Sequence, residues 1–315
     1  MKILVTGGAG FIGSHLTDRL LARGDEVLVI DNYTTGRRDN LPASLEGLTI
    51  VEGDIADHDL VEKTFGGFGP QVVVHAAASY KDPDDWVRDA LTNVVGSANV
   101  ARASLATGAR RLIYLQTALC YGLHPIEQPI TLSHPIRSDG SSYAISKTAG
   151  EQYIALSGMD YLSFRLANAY GPRNLSGPLP TFYSRLTTGK PCFVMDTRRD
   201  FVYVTDLVDV LMKAIDGSGR RGAYHVSSGT DHAITELFDA TIAALGVQLE
   251  KPVEVRPRGA DDAYTILLDP TDTCRDFDWQ VGVPLATGVG RAIEYYRQFG
   301  ISDTYTHLQL DELRA

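Results

Sequence analysis

The run Met1-Lys2-Ile3-Leu4-Val5-Thr6-Gly7-Gly8-Ala9-Gly10-Phe11-Ile12-Gly13 decides how the rest of the chain is read. A mainly apolar, β-type segment leads straight into a turn crowded with glycine. The stretch from about Ser14 to Arg23 then reads as a helix, Gly24 ends it, and Val27-Leu28-Val29-Ile30 forms a second strand closing on Asp31. Strand, glycine turn, helix, strand and acid, in that order, is the context a dinucleotide-binding unit requires. Glycines at 7, 8 and 10 allow a tight turn and keep Cβ atoms away from a pyrophosphate. Gly13 lets the helix lie close to the strand, and the helix start offers unpaired N–H groups to phosphate. Asp31 is placed to accept bonds from a ribose diol, and its charge disfavours a 2′-phosphate. NAD is therefore expected over NADP, a preference that Arg37 and Arg38 weaken without reversing.

The 315 residues are 44% hydrophobic and 22% charged, ordinary values for a globular enzyme with a sizeable core. A formal charge of −10 without a Lys/Arg run argues against nucleic acid or an anionic membrane as the main partner. No apolar stretch approaches the roughly 20 residues of a membrane span, and the N-terminus has no leader pattern, so a cytoplasmic protein is expected. Cys120, Cys192 and Cys274 are too few and too scattered for a disulfide framework or a metal site.

Beyond Asp31 the alternation continues. Leu48–Val51 reads as a strand, 58–65 as a helix, Val72–His75 as a short buried strand, Asp84–Ala106 as one long helix and Arg111–Gln116 as a strand that delivers Thr117. Such alternation implies an α/β fold with a doubly wound, parallel Rossmann sheet. Ligands of these sheets bind beyond the C-terminal strand ends, which makes Asp54, Ile55, Ala76, Ala77 and Ala78 candidate cofactor contacts. Asp54 reads equally well as a turn or helix-capping residue. Asn93, polar and inside the long helix, is suited to anchoring a neighbouring loop.

Tyr143-Ala-Ile-Ser-Lys147 opens the next helix, and its four-residue spacing puts phenol and ammonium on one face. For a tyrosine of pKa about 10 to act as a base near neutrality, the phenolate needs about 4 kcal/mol of preferential stabilisation. Lys147 and an oxidised nicotinamide are the available cations, and Thr117 is placed to hold the same substrate hydroxyl. After Pro172 the regular pattern lapses, and Pro178, Pro180 and Gly189-Lys190-Pro191 read as irregular connections. A boundary near Asn168 divides the chain into residues 1–167, binding the cofactor, and a smaller α/β substrate unit at 168–315, the chain crossing back near 200–216. Helices are expected over Thr230–Leu245 and Thr287–Phe299.

Taken together, Gly7–Gly13, Asp31, Asp54-Ile55, His75-Ala76-Ala77, Asn93, Thr117, Tyr143/Lys147 and Arg165-Leu-Ala-Asn-Ala-Tyr-Gly-Pro172 resemble the extended short-chain dehydrogenase/reductases. Within them the chain is most similar to NAD-dependent nucleotide-sugar epimerases of the UDP-glucose 4-epimerase type. Ala77–Trp86, Gln116–Gly122 and the end around Asp303 to Leu308 resemble a bacterial branch linked to surface polysaccharides. The resemblance implies NAD contacts at Gly7, Gly10, Phe11, Ile12, Gly13, Asp31, Asn32, Asn93, Tyr143 and Lys147, beside the strand-end residues above. It implies catalysis by Thr117, Tyr143 and Lys147, and a homodimer joined through the helices at 84–106 and 143–156. Asn168 and Arg199 are expected at a nucleotide diphosphate, and guanidinium forks suit phosphate oxygens. Arg258 and Asp261 resemble an Arg-x-Gly-Asp segment that meets phosphate and uridine ribose. Here Ala260 replaces the glycine and Asp262 adds a second acid, so the register is open by one residue. Ser79 and Lys81 complete the expected UDP-sugar contacts, although a solvated lysine accounts for Lys81 equally well.

Related dehydratases carry an Asp-Glu pair directly after the position of Thr117, and decarboxylases commonly a Glu. This chain has Ala118 and Leu119, which transfer no proton. The expectation is therefore C4 epimerisation of a UDP-hexose, N-acetylhexosamine or uronate through a 4-keto sugar. A dehydratase with its acids elsewhere, a keto-sugar reductase and a non-catalytic cofactor-binding regulator stay open.

Overall fold

The computed structural model describes residues 1–42, 45–259, 262–301 and 304–305. Its first element pair is β1 (Lys2–Thr6) and α1 (Phe11–Ala22), followed by β2 (Glu26–Asp31), β3 (Leu48–Glu52), α2 (His58–Phe68) and β4 (Val72–His75). Next come α3 (Trp86–Asp89), wider π-helical turns over Ala90–Gly96, α4 (Ser97–Ala106), β5 (Arg111–Thr117), α5 (Ser142–Leu156) and β6 (Tyr161–Leu166). The remainder holds β7 (Asn168–Tyr170), α6 (Pro178–Thr187), β8 (Phe193–Met195), β9 (Arg198–Tyr203), α7 (Val204–Ile215), β10 (Gly222–Val226) and β11 (Asp231–Ala233). Then follow α8 (Ile234–Leu245), β12 (Glu254–Arg256), α9 (Thr271–Phe277) and α10 (Leu285–Phe299).

Seven strands form one sheet in the order β10-β6-β5-β4-β1-β2-β3, every neighbouring pair parallel. The inner strands β1, β2, β4, β5 and β6 are buried on both faces, as near-continuous apolar runs require. Strict alternation then divides one strand between two cores. Ile3, Val5, Val27 and Val29 join Leu16 and Leu20 of α1 and Leu207 and Leu211 of α7. Leu4, Leu28 and Ile30 join Phe65 of α2, Val100 of α4 and Ile154 of α5 on the other side. The outer strand β3 is half exposed, which fits its edge position.

Although it follows residue 168, α7 packs beside α1, and β10 extends the same sheet beyond β6. The other strands of this half make a three-stranded sheet, β11-β9-β7, and a parallel pair, β12-β8.

Two local expectations are corrected. Pro178 and Pro180 open a helix, α6, instead of an irregular connection. Proline is accommodated there because first-turn N–H groups have no intrahelical partner to lose. The stretch read as one helix from Asp84 to Ala106 starts at Trp86 and loosens into π turns around Asn93. These turns bring the Asn93 carbonyl against α5 at Gly150, where a Cβ would sit 2.4 Å from that oxygen.

Candidate active site

The glycine turn between β1 and α1 leaves no room for a Cβ at Gly7 or at Gly13. Gly7 adopts φ +69°, and a Cβ there would lie 2.6 Å from the Ala77 nitrogen. At Gly13 a Cβ would lie 2.1 Å from the Gly7 carbonyl oxygen. The start of α1 carries no side-chain cap and no acid in its first turn, so its N–H groups and positive dipole end remain for an anion. Asp31 is held in place before any ligand arrives: Oδ2 accepts from the Ala9 N–H and Oδ1 from the Tyr33 N–H, both at 2.8 Å. Burial raises its pKa, and these two bonds oppose that shift. These features fit a dinucleotide with a free ribose diol. Arg37 pairs with Asp39, while Arg38 pairs with Glu52 and lies over the Tyr33 ring, so both guanidiniums face carboxylates.

A cavity of about 990 Å³ runs from this turn across the C-terminal ends of the strands to the second half of the chain. On the cofactor side its wall includes Gly7, Gly10, Phe11, Ile12, Gly13, Asp31 and Asn32, and farther along Ile55, Ala76, Ala77 and Ala78. Ser79, Lys81, Thr117, Tyr143, Asn168 and Arg199 line the remainder.

Three expected residues sit behind the wall. Asp54 accepts from Asn32 Nδ2 at 3.0 Å and from the Ala56 N–H at 2.9 Å, so it sets the positions of its neighbours. Asn93 clamps Ser79 and also donates to Ser146 Oγ at 3.0 Å, tying the strand-end loop to α5. Lys147 is buried with its ammonium 3.9 Å from the Tyr114 ring centroid. Burial lowers its pKa to about 7, against the opposing charge of Glu151.

Tyr143 is held at the start of α5, whose cap Ser141 accepts from the Ala144 N–H at 3.1 Å. Burial and the Asp89 charge raise the phenol pKa, while a hydrogen bond with Thr117 lowers it. Thr117 is fixed through its own N–H, which donates to Gln116 Oε1 at 2.8 Å. Gln116 in turn donates to the Lys147 carbonyl at 3.1 Å, so β5 and α5 are locked together beneath the pair.

Toward the second half, Asn168 donates to the Asp200 carbonyl at 3.2 Å from the first residue of β7. Arg199, largely buried on β9, pairs with Asp262 and donates to the carbonyls of Arg198 at 2.7 Å and Ala263 at 3.0 Å. Asp262, the second acid of the open register, is thus the arginine's partner. Arg258 donates to the Asp262 carbonyl at 2.9 Å and is absent from the cavity wall, while Asp261 lies outside the described residues.

Sequence reasoning missed several wall residues. Tyr80 and Tyr305 join through their hydroxyls at 3.0 Å, and the Tyr80 ring lies 5.9 Å from that of Tyr143. Phe193 lines the far end with Arg256 stacked 3.9 Å from its centroid. No periodicity marks isolated aromatics of this kind. His75, quoted only as part of a motif, is a structural pivot, bonded to Thr6 Oγ1 at 2.7 Å and Ser97 Oγ at 2.9 Å. Among the described residues no His/Cys/Asp/Glu group could hold a metal, and no helix is long and apolar enough to cross a membrane.

Comparison with known proteins agrees with this architecture. Residues 3–227 match the model of the NAD dependent epimerase/dehydratase family. A UDP-glucose 4-epimerase of Mycolicibacterium smegmatis is 34% identical, the match covering 94% of this chain and 99% of that one. The structure of the Bordetella bronchiseptica enzyme WbmH with NAD+ superposes with a TM-score of 0.92 at 52% identity, covering 95% of this chain and 99% of that one. WbmG of the same organism, in complex with NAD and UDP, gives 0.90 at 44% identity over 98% of each chain. The seven-stranded parallel sheet flanked by helices is that of an extended short-chain dehydrogenase/reductase, and the chain belongs to the NAD-dependent epimerase/dehydratase family.

Proposed function

We propose that the protein inverts C4 of a UDP-sugar, with residues 1–167 serving the cofactor and 168–315 the nucleotide sugar. The observation that carries this reading is the Thr117–Tyr143 pair on the cavity wall followed by Ala118 and Leu119. Both of those residues also face the cavity, and neither has a proton to give. NAD, held at the glycine turn and by Asp31, would supply the hydride acceptor and donor for C4. Tyr143 takes the 4-hydroxyl proton and later donates it back, while Thr117 holds the same oxygen. Lys147, with a pKa near 7, supplies partial positive charge close to the base of Tyr143's helical turn.

The diphosphate and base are assigned to the far end. Arg199 and Asn168 face the diphosphate, and Phe193 with its neighbouring guanidiniums offers a flat face to the pyrimidine. Binding energy concentrated in the nucleotide leaves the 4-keto sugar free to turn over. A substrate deuterated at C4 tests the reading. The label stays at C4 in both epimers if one hydride is removed and returned, and its loss to water would refute this route.

We also infer a homodimer through α3, α4 and α5. Trp86, Val87, Leu91 and Val95 are exposed on one side and Ile145, Tyr153 and Leu156 on the other, an apolar surface uncommon on a monomer. Light scattering of the purified protein decides this, a monomer at working concentration being the contrary result.

A further inference from the structure

Tyr305 is tied to both halves of the chain at the cavity. Its backbone belongs to the second half. The Tyr305 N–H donates to the Leu175 carbonyl and the Tyr305 carbonyl accepts from the Gly177 N–H, each at 3.1 Å, in a parallel bridge beside Ser176 between β7 and α6. Its side chain belongs to the first half. The hydroxyl meets that of Tyr80 at 3.0 Å and also bonds Thr35, and the Tyr80 and Tyr305 rings lie 5.6 Å apart. The Lys81 ammonium stands 5.9 Å from the Tyr305 ring centroid.

These partners come from separate parts of the cofactor wall. Thr35 follows Asp31 at the end of β2, whereas Tyr80 follows β4 and has its ring 5.9 Å from that of Tyr143. Leu175, Ser176 and Gly177 form the facing rim, and all of these residues line the one cavity. Burial raises the pKa of both phenols, so near neutrality the bridge joins two uncharged hydroxyls and leaves no ion in the wall. The chemistry at C4 does not require any of these contacts.

We propose that Tyr305 is a clasp on the cofactor: by bonding Thr35 and Tyr80 from the opposite rim it spans the cavity between the Asp31 end and the Tyr143 end, so that a dinucleotide enters or leaves only when these bonds open. A redox-neutral reaction needs the same cofactor molecule from start to finish, and a closed clasp keeps it in place. That purpose rests on the epimerase reading, whereas the clasp itself does not. Tyr305 is therefore a retaining residue, with no part in the proton or hydride transfer.

The test is the rate at which cofactor passes, measured on the full-length protein without sugar. Stopped-flow fluorescence of NADH gives association, and a chase of bound NADH with excess NAD gives dissociation. A gate that must open in both directions slows both rates, so its removal should speed both. Tyr305→Ala should raise association and dissociation by about tenfold each, on the scale of two lost hydroxyl bonds, with the dissociation constant within about threefold of wild type. Tyr305→Phe, which keeps the ring and loses the hydroxyl, should shift both rates in the same direction by a smaller factor, and it carries the test if Tyr305→Ala does not fold. Wild-type rates in these variants overturn the clasp. Faster dissociation with unchanged association also overturns it, since Tyr305 would then be an ordinary contact of the bound cofactor. Failure to epimerise any UDP-sugar would defeat the proposed reaction and leave these rates to decide the clasp.

Discussion

The Asn93 carboxamide grips Ser79 from both sides: its Nδ2 donates to the Ser79 carbonyl and its Oδ1 accepts from the Ser79 N–H, each at 2.9 Å. Ser79 directly precedes Tyr80 and Lys81 on the cavity wall, so one side chain in the π turns fixes this stretch of the wall. Replacing Asn93 with Ala removes both bonds and the one to Ser146. The expected loss is about 2 to 3 kcal/mol of unfolding free energy, read by urea denaturation. A change within about 0.5 kcal/mol would show that the loop is held by other contacts.

Gly13 tests the cofactor cradle. A Cβ placed 2.1 Å from the Gly7 carbonyl cannot be relieved by rotating a side chain, because both partners are backbone. Gly13→Ala should weaken NAD binding at least about tenfold, measured by calorimetry, since about 1.4 kcal/mol of strain suffices for that. Binding at wild-type strength would mean that the turn is looser than its geometry requires.

Tyr143→Phe removes the phenol while keeping the ring that meets Tyr80. Turnover should fall by roughly 100- to 10,000-fold, the range for losing a general acid–base. NAD affinity should change little, so the pair of measurements separates chemistry from binding.

Burial of His225 is expected to make part of the stability depend on pH. His225 bonds Tyr121 Oη at 2.6 Å and the Asp269 carbonyl at 3.0 Å, and burial lowers its pKa from 6.5 to about 4. Between these values the unfolded chain binds the proton and the folded one does not. This contribution is therefore lost as pH falls through that window, by about 2 kcal/mol between pH 7 and pH 5. In His225→Gln that part of the pH dependence should vanish, leaving a shallower denaturation profile over the same interval; an unchanged slope would assign the loss elsewhere, with His75, also held neutral by burial, the next group to examine.

What the sequence makes legible here is local. Gly7 to Gly13 and Asp31 act within one strand–turn–helix unit, so spacing alone carries their geometry, and Tyr143 with Lys147 follows from one helical turn. The rest depends on folding partners distant in the chain. Pro178 looks like a helix breaker until its place in a first turn is known. Asn93 reads as an awkward helix residue until the π turns bring it to Ser79 and Ser146. Lys147 shares a face with Tyr143, yet only the fold reveals Tyr114 beneath its ammonium. The pairing of Arg199 with Asp262 spans 63 residues and depends on how the segment after β12 returns to β9. Tyr305 meets Tyr80 across 225 residues, beyond any pattern of spacing.

The most direct test of C4 epimerisation is proton NMR of the purified protein with NAD, no external reductant, and a panel of UDP-hexoses, UDP-N-acetylhexosamines and UDP-uronates. The account predicts a new anomeric signal from an intact UDP-sugar of unchanged mass, without accumulation of NADH. Loss of water or carbon dioxide from the sugar, or a stoichiometric change in the cofactor, would contradict it.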